Sequence, residues 1–321
     1  MHHLTNSYLA KDFIETEEGL CFAVVQNGAE RRGSDEAKVL CFLRYIKNDK
    51  GQWQKVSTEQ ANTYLIMHYP AYLHYSIVLD AQLHAVAIGK IVWHHQPRQR
   101  LQQVFNDPQR DKVEQDLYDL YLLFQQSSLD LLQAGVTGSI LIGAQKPDSD
   151  IDVVFYDRDT FHKARAITAD LIGQRRLGEL GDKDWQEAYA RRSCTLSLAE
   201  YVWHERRKYN KALIKGRKFD LNFVDGQIQS EKTNYKKCGG MVLQAKITED
   251  KYSFDYPALY TIEHETIKTV VCFIATYTGQ AVTGETVEIS GLLEQAEDGG
   301  QRIVVGSSRE APGEYIKVIS C

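Results

Sequence analysis

Two short segments in the middle of the chain have residue types and spacing suited to phosphate and metal chemistry. Gly138 and Ser139 follow a short apolar run, and Asp150 and Asp152 open the next one, DIDVVFY. Side chains two positions apart on a strand point to the same face, so the two carboxylates are expected side by side. Such a pair can bind Mg²⁺, which also bridges substrate phosphates, and a Gly-Ser turn can present backbone N–H groups to a phosphate. The pattern predicts phosphoryl or nucleotidyl transfer.

The stretch GSILIGAQKPDSDIDVVFYD resembles the signature of the DNA polymerase beta-like nucleotidyltransferase superfamily. Ten residues separate Ser139 from Asp150, the spacing of the minimal nucleotidyltransferases, whose usual form is GSxARGxAxxxSDIDLxV. The resemblance implies that Gly138 and Ser139 seat the triphosphate and that Asp150 and Asp152 bind two Mg²⁺ ions. Where those enzymes carry Arg before the second Gly, this chain has Ile142. The triphosphate contact made by that Arg is therefore lost or supplied from elsewhere.

The superfamily also uses a third carboxylate on a later strand. The best candidate is Asp220 in RKFDLNFVD, with Asp225 as the fallback, although a residue at the end of a strand is typical of a turn. By resemblance, Asp220 would bind the metal that activates the attacking hydroxyl and could accept its proton. The basic segment HERRKYNKALIKGRK leads into Asp220, and its Arg217 and Lys218 are candidate contacts for the triphosphate or an acceptor phosphate. The alternative is a solvated helix face.

The acidic residues of the motif also resemble the ligands of a calcium-binding loop. Asp148, Asp150 and Asp152 have the spacing of a calcium loop, but such a loop needs Gly at its sixth position, where this chain has Val153. A strand is expected there instead.

Near the N-terminus, a solvated acidic turn is predicted; its residues are Asp12, Glu15, Glu17 and Glu18.

The adjacent residues His94 and His95 could suggest a metal site or a general base. Neighbouring residues of a strand point to opposite faces, so the two rings cannot readily bind one ion. A surface or packing role is expected for both.

The whole chain has the composition of a folded protein of two or three units. It has 321 residues, 43% hydrophobic and 25% charged, with a formal charge of -5. The negative charge argues against a general polyanion binder, so any nucleic-acid contact must be local. The six cysteines show no CxxC pair, which favours reduced thiols in a cytoplasmic protein. No signal peptide and no membrane span are predicted.

The hydrophobic pattern predicts a mixed α+β fold in three domains. Residues 1–108 are expected to form an α+β domain with a helix beginning at Ser57, and residues 109–235 a nucleotidyltransferase α/β core on a mixed sheet. A long helix should begin this core, with one buried face; its residues are Val113, Leu117, Leu120, Tyr121 and Phe124. Residues 236–321 are strand-rich and predict an OB-like or other small barrel. Acidic residues there outnumber Lys and Arg by 12 to 8, which favours core packing for its aromatic rings.

The phrases DFIETEEGLCFAVV, VLCFLRY and WHERRKYNKALIKGRKF resemble a family of predicted nucleotidyltransferases common in archaea. The expected function is metal-dependent transfer of a nucleoside monophosphate from a triphosphate such as ATP to a hydroxyl. Because the flanking domains favour a macromolecular acceptor, an RNA or DNA end is expected first. Three alternatives stay open: a small metabolite or antibiotic as the acceptor, protein nucleotidylation (AMPylation), and a catalytically silent nucleotide-binding regulatory protein.

Overall fold

The computed structural model describes residues 8–31, 36–76, 81–192, 194–226, 235–307 and 311–320. Over these ranges it contains six α-helices and three sheets, which confirms the mixed α and β composition. The chain divides into two compact units: unit 1 holds residues 1–167 and 214–230, and unit 2 holds residues 168–213 and 231–321. The three-domain division with boundaries at residues 108 and 235 stays a prediction.

The first sheet of unit 1 is antiparallel and has the order β5-β6-β3-β2-β1-β7, with β4 paired to β3. Its strands are β1 (Phe13–Thr16), β2 (Leu20–Val24), β3 (Lys38–Lys47), β4 (Trp53–Lys55), β5 (Leu73–Ser76), β6 (Ala81–Ala87) and β7 (Ile91–His95). Helix α1 (Thr58–His68) supplies Ala61 and Leu65 to the core on one face of this sheet. As predicted, it begins at Ser57, whose hydroxyl accepts from the backbone of Gln60 in a capping box.

Two helices connect the first sheet to the second. They are α2 (Pro97–Asn106) and α3 (Lys112–Gln126). The five residues predicted to form the buried face of α3 are each at most 2% exposed, which confirms the helical period. Asp111 caps α3 and accepts from the backbone of Val113 and Glu114.

The second sheet contributes three strands to unit 1, in the order β11-β9-β8. They are β8 (Ala134–Thr137), β9 (Ile151–Phe155) and β11 (Arg217–Phe223); the first two are antiparallel, and β9 and β11 are parallel. The sheet is therefore mixed, as predicted. Helix α4 (Arg158–Gly173) follows β9.

Unit 2 carries the short helices α5 (Asp182–Ala190) and α6 (Leu198–Arg206). The strand β10 (Lys211–Ile214) ends at the boundary of the units. The remaining strands are β12 (Tyr235–Glu249), β13 (Ala258–Glu263), β14 (Ile267–Cys272), β15 (Thr286–Ala296), β16 (Gln301–Val305) and β17 (Tyr315–Ser320). Since β12 pairs with both β13 and β15, the pairings β12-β13-β14-β16-β15 return to β12, with β14 and β16 parallel. The predicted β-rich end is confirmed, and its OB-like barrel stays a prediction.

Truncation of Phe124 tests the role of α3 as the support of the second sheet. The ring is fully buried and packs edge-on against Phe219 of β11. Phe124→Ala should lower the free energy of unfolding by about 3 to 5 kcal/mol, because it removes a large side chain and leaves a cavity. Urea unfolding measures the loss. The exposed neighbour Gln125 provides the control, since Gln125→Ala should change stability by no more than about 0.5 kcal/mol; equal losses would contradict this packing.

Candidate metal and phosphate site

The strand register of the second sheet sets the candidate site. Asp220 of β11 is the direct parallel partner of Asp152 in β9, and Thr137 of β8 is the partner of Asp152 on the other side. Adjacent strands lie about 4.8 Å apart, so the two carboxylates are nearest neighbours on one face. Asp150 precedes the first residue of β9 and is exposed. Two of the three predicted carboxylates are thus brought together across the sheet, and the third lies two residues before Asp152.

Gly138 lies directly against the Asp152 side chain. Its φ of 69° is in the left-handed region, and a Cβ at this position would lie closer than 3.0 Å to Asp152 Oδ2. Only glycine combines this backbone conformation with so close an approach. Gly138, the glycine of the Gly-Ser pair, therefore leaves room for the Asp152 carboxylate.

The motif loop, residues 138–149, is held by hydrogen bonds to its own backbone and to α2 and α3. Ser139 adopts a helical conformation, and its carbonyl accepts from the backbone of Ala144 at 2.9 Å. Arg100 donates to the carbonyl of Ile140 at 2.8 Å and forms an ion pair with Glu114 of α3. These contacts fix the loop that places the predicted Gly138-Ser139 phosphate contact.

Arg217 holds the other end of the motif loop. Its guanidinium donates to Asp116 of α3 at 2.8 Å and to the carbonyls of Pro147 and Ser149 at 2.8 Å each. Asp116 is buried, and the cations Lys112 and Arg217 beside it lower its pKa although burial acts in the opposite direction. In this structure Arg217 orients the loop that leads into Asp150; its predicted triphosphate contact stays a prediction.

The rest of the basic segment is distributed between the two units. Lys218 precedes Asp220 by two positions on β11 and shares its face of the strand. Five other cations pair with carboxylates: Arg206 with Asp182, Arg207 with Glu285, Lys208 and Lys211 with Glu205, and Lys215 with Asp119. Most of this segment therefore contributes ion pairs within its own unit.

The electrostatics of Asp152 set this residue apart from an ordinary surface carboxylate. Burial raises its pKa to about 6, with further increases from Asp220 and Asp150; the cations Lys11 and Lys55 act in the opposite direction. Lys11 also donates to Asn222 of β11 at 3.3 Å. The like charges of the site are thus only partly compensated by the lysines.

The packing around Ile142 explains why the motif has an apolar residue where the minimal enzymes have Arg. Together with Leu141, Ile142 packs against Phe13, Cys21 and Tyr45 of the first sheet. An apolar residue fits this cluster, whereas an Arg there would place a charge against apolar side chains. The departure therefore serves the packing of the motif loop on the first sheet.

Several polar residues near the site were not predicted, and one prediction was wrong. Lys11, Lys55 and Asn222 lie far from the motif in sequence. Only Asn222 could have been predicted from the sequence, because it follows Asp220 by two positions on one strand face.

Asp12, which was expected in a solvated turn, is 3% exposed and lies 2.7 Å from His94 Nε2. Burial raises its pKa, against the effect of His94.

The fallback carboxylate Asp225 and the two histidines have polar partners of their own. Asp225 follows β11, forms an ion pair with Arg158, and its carbonyl accepts from Asn27. His94 contacts Asp12 and His95 lies 3.4 Å from Glu15, so the two histidines have different partners.

The donor set of the site suits Mg²⁺ bound together with a substrate phosphate. Within the described residues, no three His, Cys, Asp or Glu side chains are grouped so that they could hold a metal by themselves. Mg²⁺ usually binds through one or two carboxylates and completes its shell with water and phosphate oxygens, so this set is compatible. The lysines compensate the charge of Asp152 and Asp220 only in part, so a bound Mg²⁺ ion would neutralise the negative charge that remains.

The fold and the site define a mixed α and β protein with paired carboxylates beside a glycine turn. The chain is 32% identical over 348 aligned positions to the "Uncharacterized protein MJ1086" of Methanocaldococcus jannaschii, covering 96% of this chain and 98% of that protein. It belongs to the same family as that archaeal protein. No profile of a known family and no solved structure matches it. Within the described ranges, none of the helices has the length and apolar character needed to cross a membrane.

A matched pair of glycine substitutions tests the contact between Gly138 and Asp152. Gly143 has a φ of 66°, close to that of Gly138, but a Cβ there would meet open space. Gly143→Ala should cost about 1 to 3 kcal/mol of stability from backbone strain alone. Gly138→Ala should cost about 1 to 3 kcal/mol more, because the new methyl group also has to displace the Asp152 carboxylate. Urea unfolding compares the two variants, and equal losses would contradict the contact.

The raised pKa of Asp152 predicts how stability depends on pH when no metal is bound. An unfolded Asp ionises near 3.8, whereas folded Asp152 ionises near 6, so the folded state binds the extra proton between these values. The contribution of this group to stability is therefore greatest below about pH 4 and is lost as the pH rises through 6. In EDTA, Asp152→Asn should raise Tm relative to the wild type by an amount that grows from pH 4 to pH 7.

The control for this series is Asp148→Asn in the exposed part of the motif loop. Its Tm difference from the wild type should stay constant over the same range. A constant difference for Asp152→Asn as well would show that Asp152 ionises in the folded state as it does in the unfolded state.

Proposed function

We propose that the protein is a metal-dependent nucleotidyltransferase that transfers a nucleoside monophosphate from a nucleoside triphosphate to a hydroxyl acceptor. The observation that carries the proposal is the register of β9 and β11, which pairs Asp220 with Asp152 beside Gly138. Sequence spacing alone could not pair these two carboxylates. Their pairing on a mixed sheet agrees with the polymerase-beta-like core suggested by the motif.

Each residue of the site has a role in this proposal. Asp150 and Asp152 would hold two Mg²⁺ ions, and Asp220 would complete the site. When bound, the ions would neutralise charge on the triphosphate and stabilise the charge that develops during transfer. Gly138 and Ser139 would receive the triphosphate through the backbone of the motif loop. The acceptor oxygen forms a bond to the α-phosphorus, its proton passes to Asp220, and pyrophosphate leaves.

The motif loop suits such a role because it is fixed before substrate binds. Arg100 and Arg217 join it to Glu114 and Asp116 of α3 through ion pairs. A loop held in place loses little conformational freedom on binding, so more of the binding free energy is available for positioning the reacting groups. The same rigidity would benefit the second candidate function.

A catalytically silent nucleotide-binding protein is the second candidate, and two observations favour it. Ile142 replaces the motif Arg within an apolar cluster, and Arg217 already bonds to Asp116 and to two loop carbonyls. Ile142 removes one cation from the motif loop, and the bonds of Arg217 occupy a second one that could otherwise contact a triphosphate. Calorimetry with Mg²⁺ and each triphosphate distinguishes the candidates: tight binding without pyrophosphate release supports the silent protein, and release in the presence of an acceptor supports the transferase.

Removal of a paired carboxylate tests the proposed transfer. Asp152→Ala and Asp220→Ala should each lower transfer of label from an α-labelled triphosphate by about 10²-fold or more, since each removes charge placed to bind a metal. The assay supplies total RNA, DNA and lysate protein in parallel, so that label on protein would identify AMPylation. Asp148→Ala in the exposed loop is the control and should keep wild-type turnover. Wild-type turnover in Asp152→Ala with a normal Tm would refute the assignment.

A further inference from the structure

A row of side chains on the first sheet connects the candidate site to the edge of that sheet. Trp93 of β7 pairs with Glu15 of β1, Glu15 with Cys21 of β2, Cys21 with Tyr45 of β3, and Tyr45 with Lys55 of β4. Direct partners on neighbouring strands point to the same face, so these five residues share one face of the sheet. Four strand spacings of about 4.8 Å give the row a length of about 19 Å.

One part of this row lies at the candidate site. Cys21 and Tyr45 are buried against Leu141 of the motif loop. Lys55, exposed at the end of the row, interacts electrostatically with Asp152. The same face that receives the motif loop therefore continues outward from the paired carboxylates, entirely within unit 1.

Beside the motif loop, this face carries a continuous group of aromatic and charged side chains, called here the tryptophan strip. Its members are Trp53, Lys47, Glu15, His95 and Trp93. Lys47 Nζ lies 4.5 Å from the centre of the Trp53 ring and forms an ion pair with Glu15. Glu15 in turn lies 3.4 Å from His95, and the His95 and Trp93 rings are 6.2 Å apart.

The strip has the features of a surface that binds unpaired bases. Trp93 is 62% exposed, which is unusual for the largest aromatic side chain and leaves its ring accessible for stacking. Proteins that bind single strands combine such rings with nearby cations that contact the backbone. Lys55 is the cation on this face that can contact a phosphate, and Lys47 compensates the charge of Glu15. The cations are local, as the negative charge of the whole chain requires.

We propose that the tryptophan strip binds a single-stranded nucleic acid and thereby delivers its terminal hydroxyl to the paired carboxylates. The inference rests on the proposed function and specifies its acceptor. A small metabolite would be held next to the carboxylates and would not need an aromatic surface that extends to the sheet edge. The bases of the acceptor stack on Trp93 at the exposed end of the strip, and Lys55 contacts its backbone near the site.

Binding of labelled oligonucleotides in EDTA tests this inference independently of turnover. Fluorescence anisotropy with a single-stranded 12-mer RNA, and with DNA of the same sequence, should show saturable binding to the full chain by at least one of them. Trp93→Ala should weaken that binding roughly 5- to 150-fold, the effect of losing one stacked base. Trp93→Phe should retain most of the affinity because it keeps a stacking ring. Trp203→Ala in unit 2 is the matched control, since Trp203 is 46% exposed and lies outside the strip.

The salt dependence of binding provides a second measurement. Lys55→Gln should reduce the slope of log K against log salt by about 0.7, the contribution of one phosphate contact to a single strand. Failure of the wild type to bind either strand, or equal affinities of Trp93→Ala and the wild type, would overturn the inference. Either result would leave the Asp152 transfer assay unaffected. Loss of transfer in Trp93→Ala without loss of binding would also contradict a binding role for the strip.

Discussion

Electrostatic repulsion between two carboxylates on neighbouring strands is the constraint around which unit 1 is arranged. Asp152 and Asp220 are direct partners in the sheet, and burial together with this neighbour raises the pKa of Asp152. A sheet evolved only for stability would not place two carboxylates side by side at these half-buried positions, since like charges removed from part of their solvent oppose folding. The surrounding residues reduce the repulsion without removing it: Lys11, in the turn before β1, and Lys55 of β4 supply positive charge.

Helix α3 provides the rigid support for this arrangement. Its buried apolar face packs beneath the second sheet, and the acidic residues Glu114 and Asp116 anchor the motif loop through Arg100 and Arg217. Both acidic residues are buried, so loss of either arginine would remove a cation that compensates a buried carboxylate. The same helix thus combines apolar packing with the ion pairs that fix the loop. This dual use accounts for buried carboxylates on a helix whose other inward residues are apolar.

Local patterns in the sequence predicted local structure well. The capping box at Ser57, the buried face of α3 and the mixed strand and helix order of the second sheet depend on residues close together in the chain, and each was confirmed. Partners distant in sequence could not be predicted. Arg217 donates a hydrogen bond to Asp116, 101 positions away in the sequence, and Ile142 packs against Phe13 of the first sheet. No periodicity or motif encodes such pairs, because they depend on how complete elements pack.

The same distinction between residues close in sequence and partners distant in sequence applies to the candidate site. The residue types and the Gly-Ser and Asp-x-Asp spacing could be predicted, because all four positions lie within residues 138–152. The cations around Asp152 could not be predicted, since Lys11 and Lys55 lie more than 80 residues before the motif. Asp12 illustrates the risk of reading charge as exposure: a run of acidic residues suggested a solvated turn, but one member is buried against His94.

Unit 1 is discontinuous in sequence, and this affects the order in which it can form during synthesis. The first sheet, α3 and β9 belong to residues 1–167, whereas β11 arrives only after residues 168–213 have been made for unit 2. Asp220 follows Asp152 by 68 positions, so at about 5 to 20 residues per second the ribosome needs about 3 to 14 s to supply the second carboxylate. During that interval β9 lacks its parallel neighbour and exposes an unpaired strand edge, a template for intermolecular pairing. The nascent chain is therefore most vulnerable to aggregation just before the candidate site is completed.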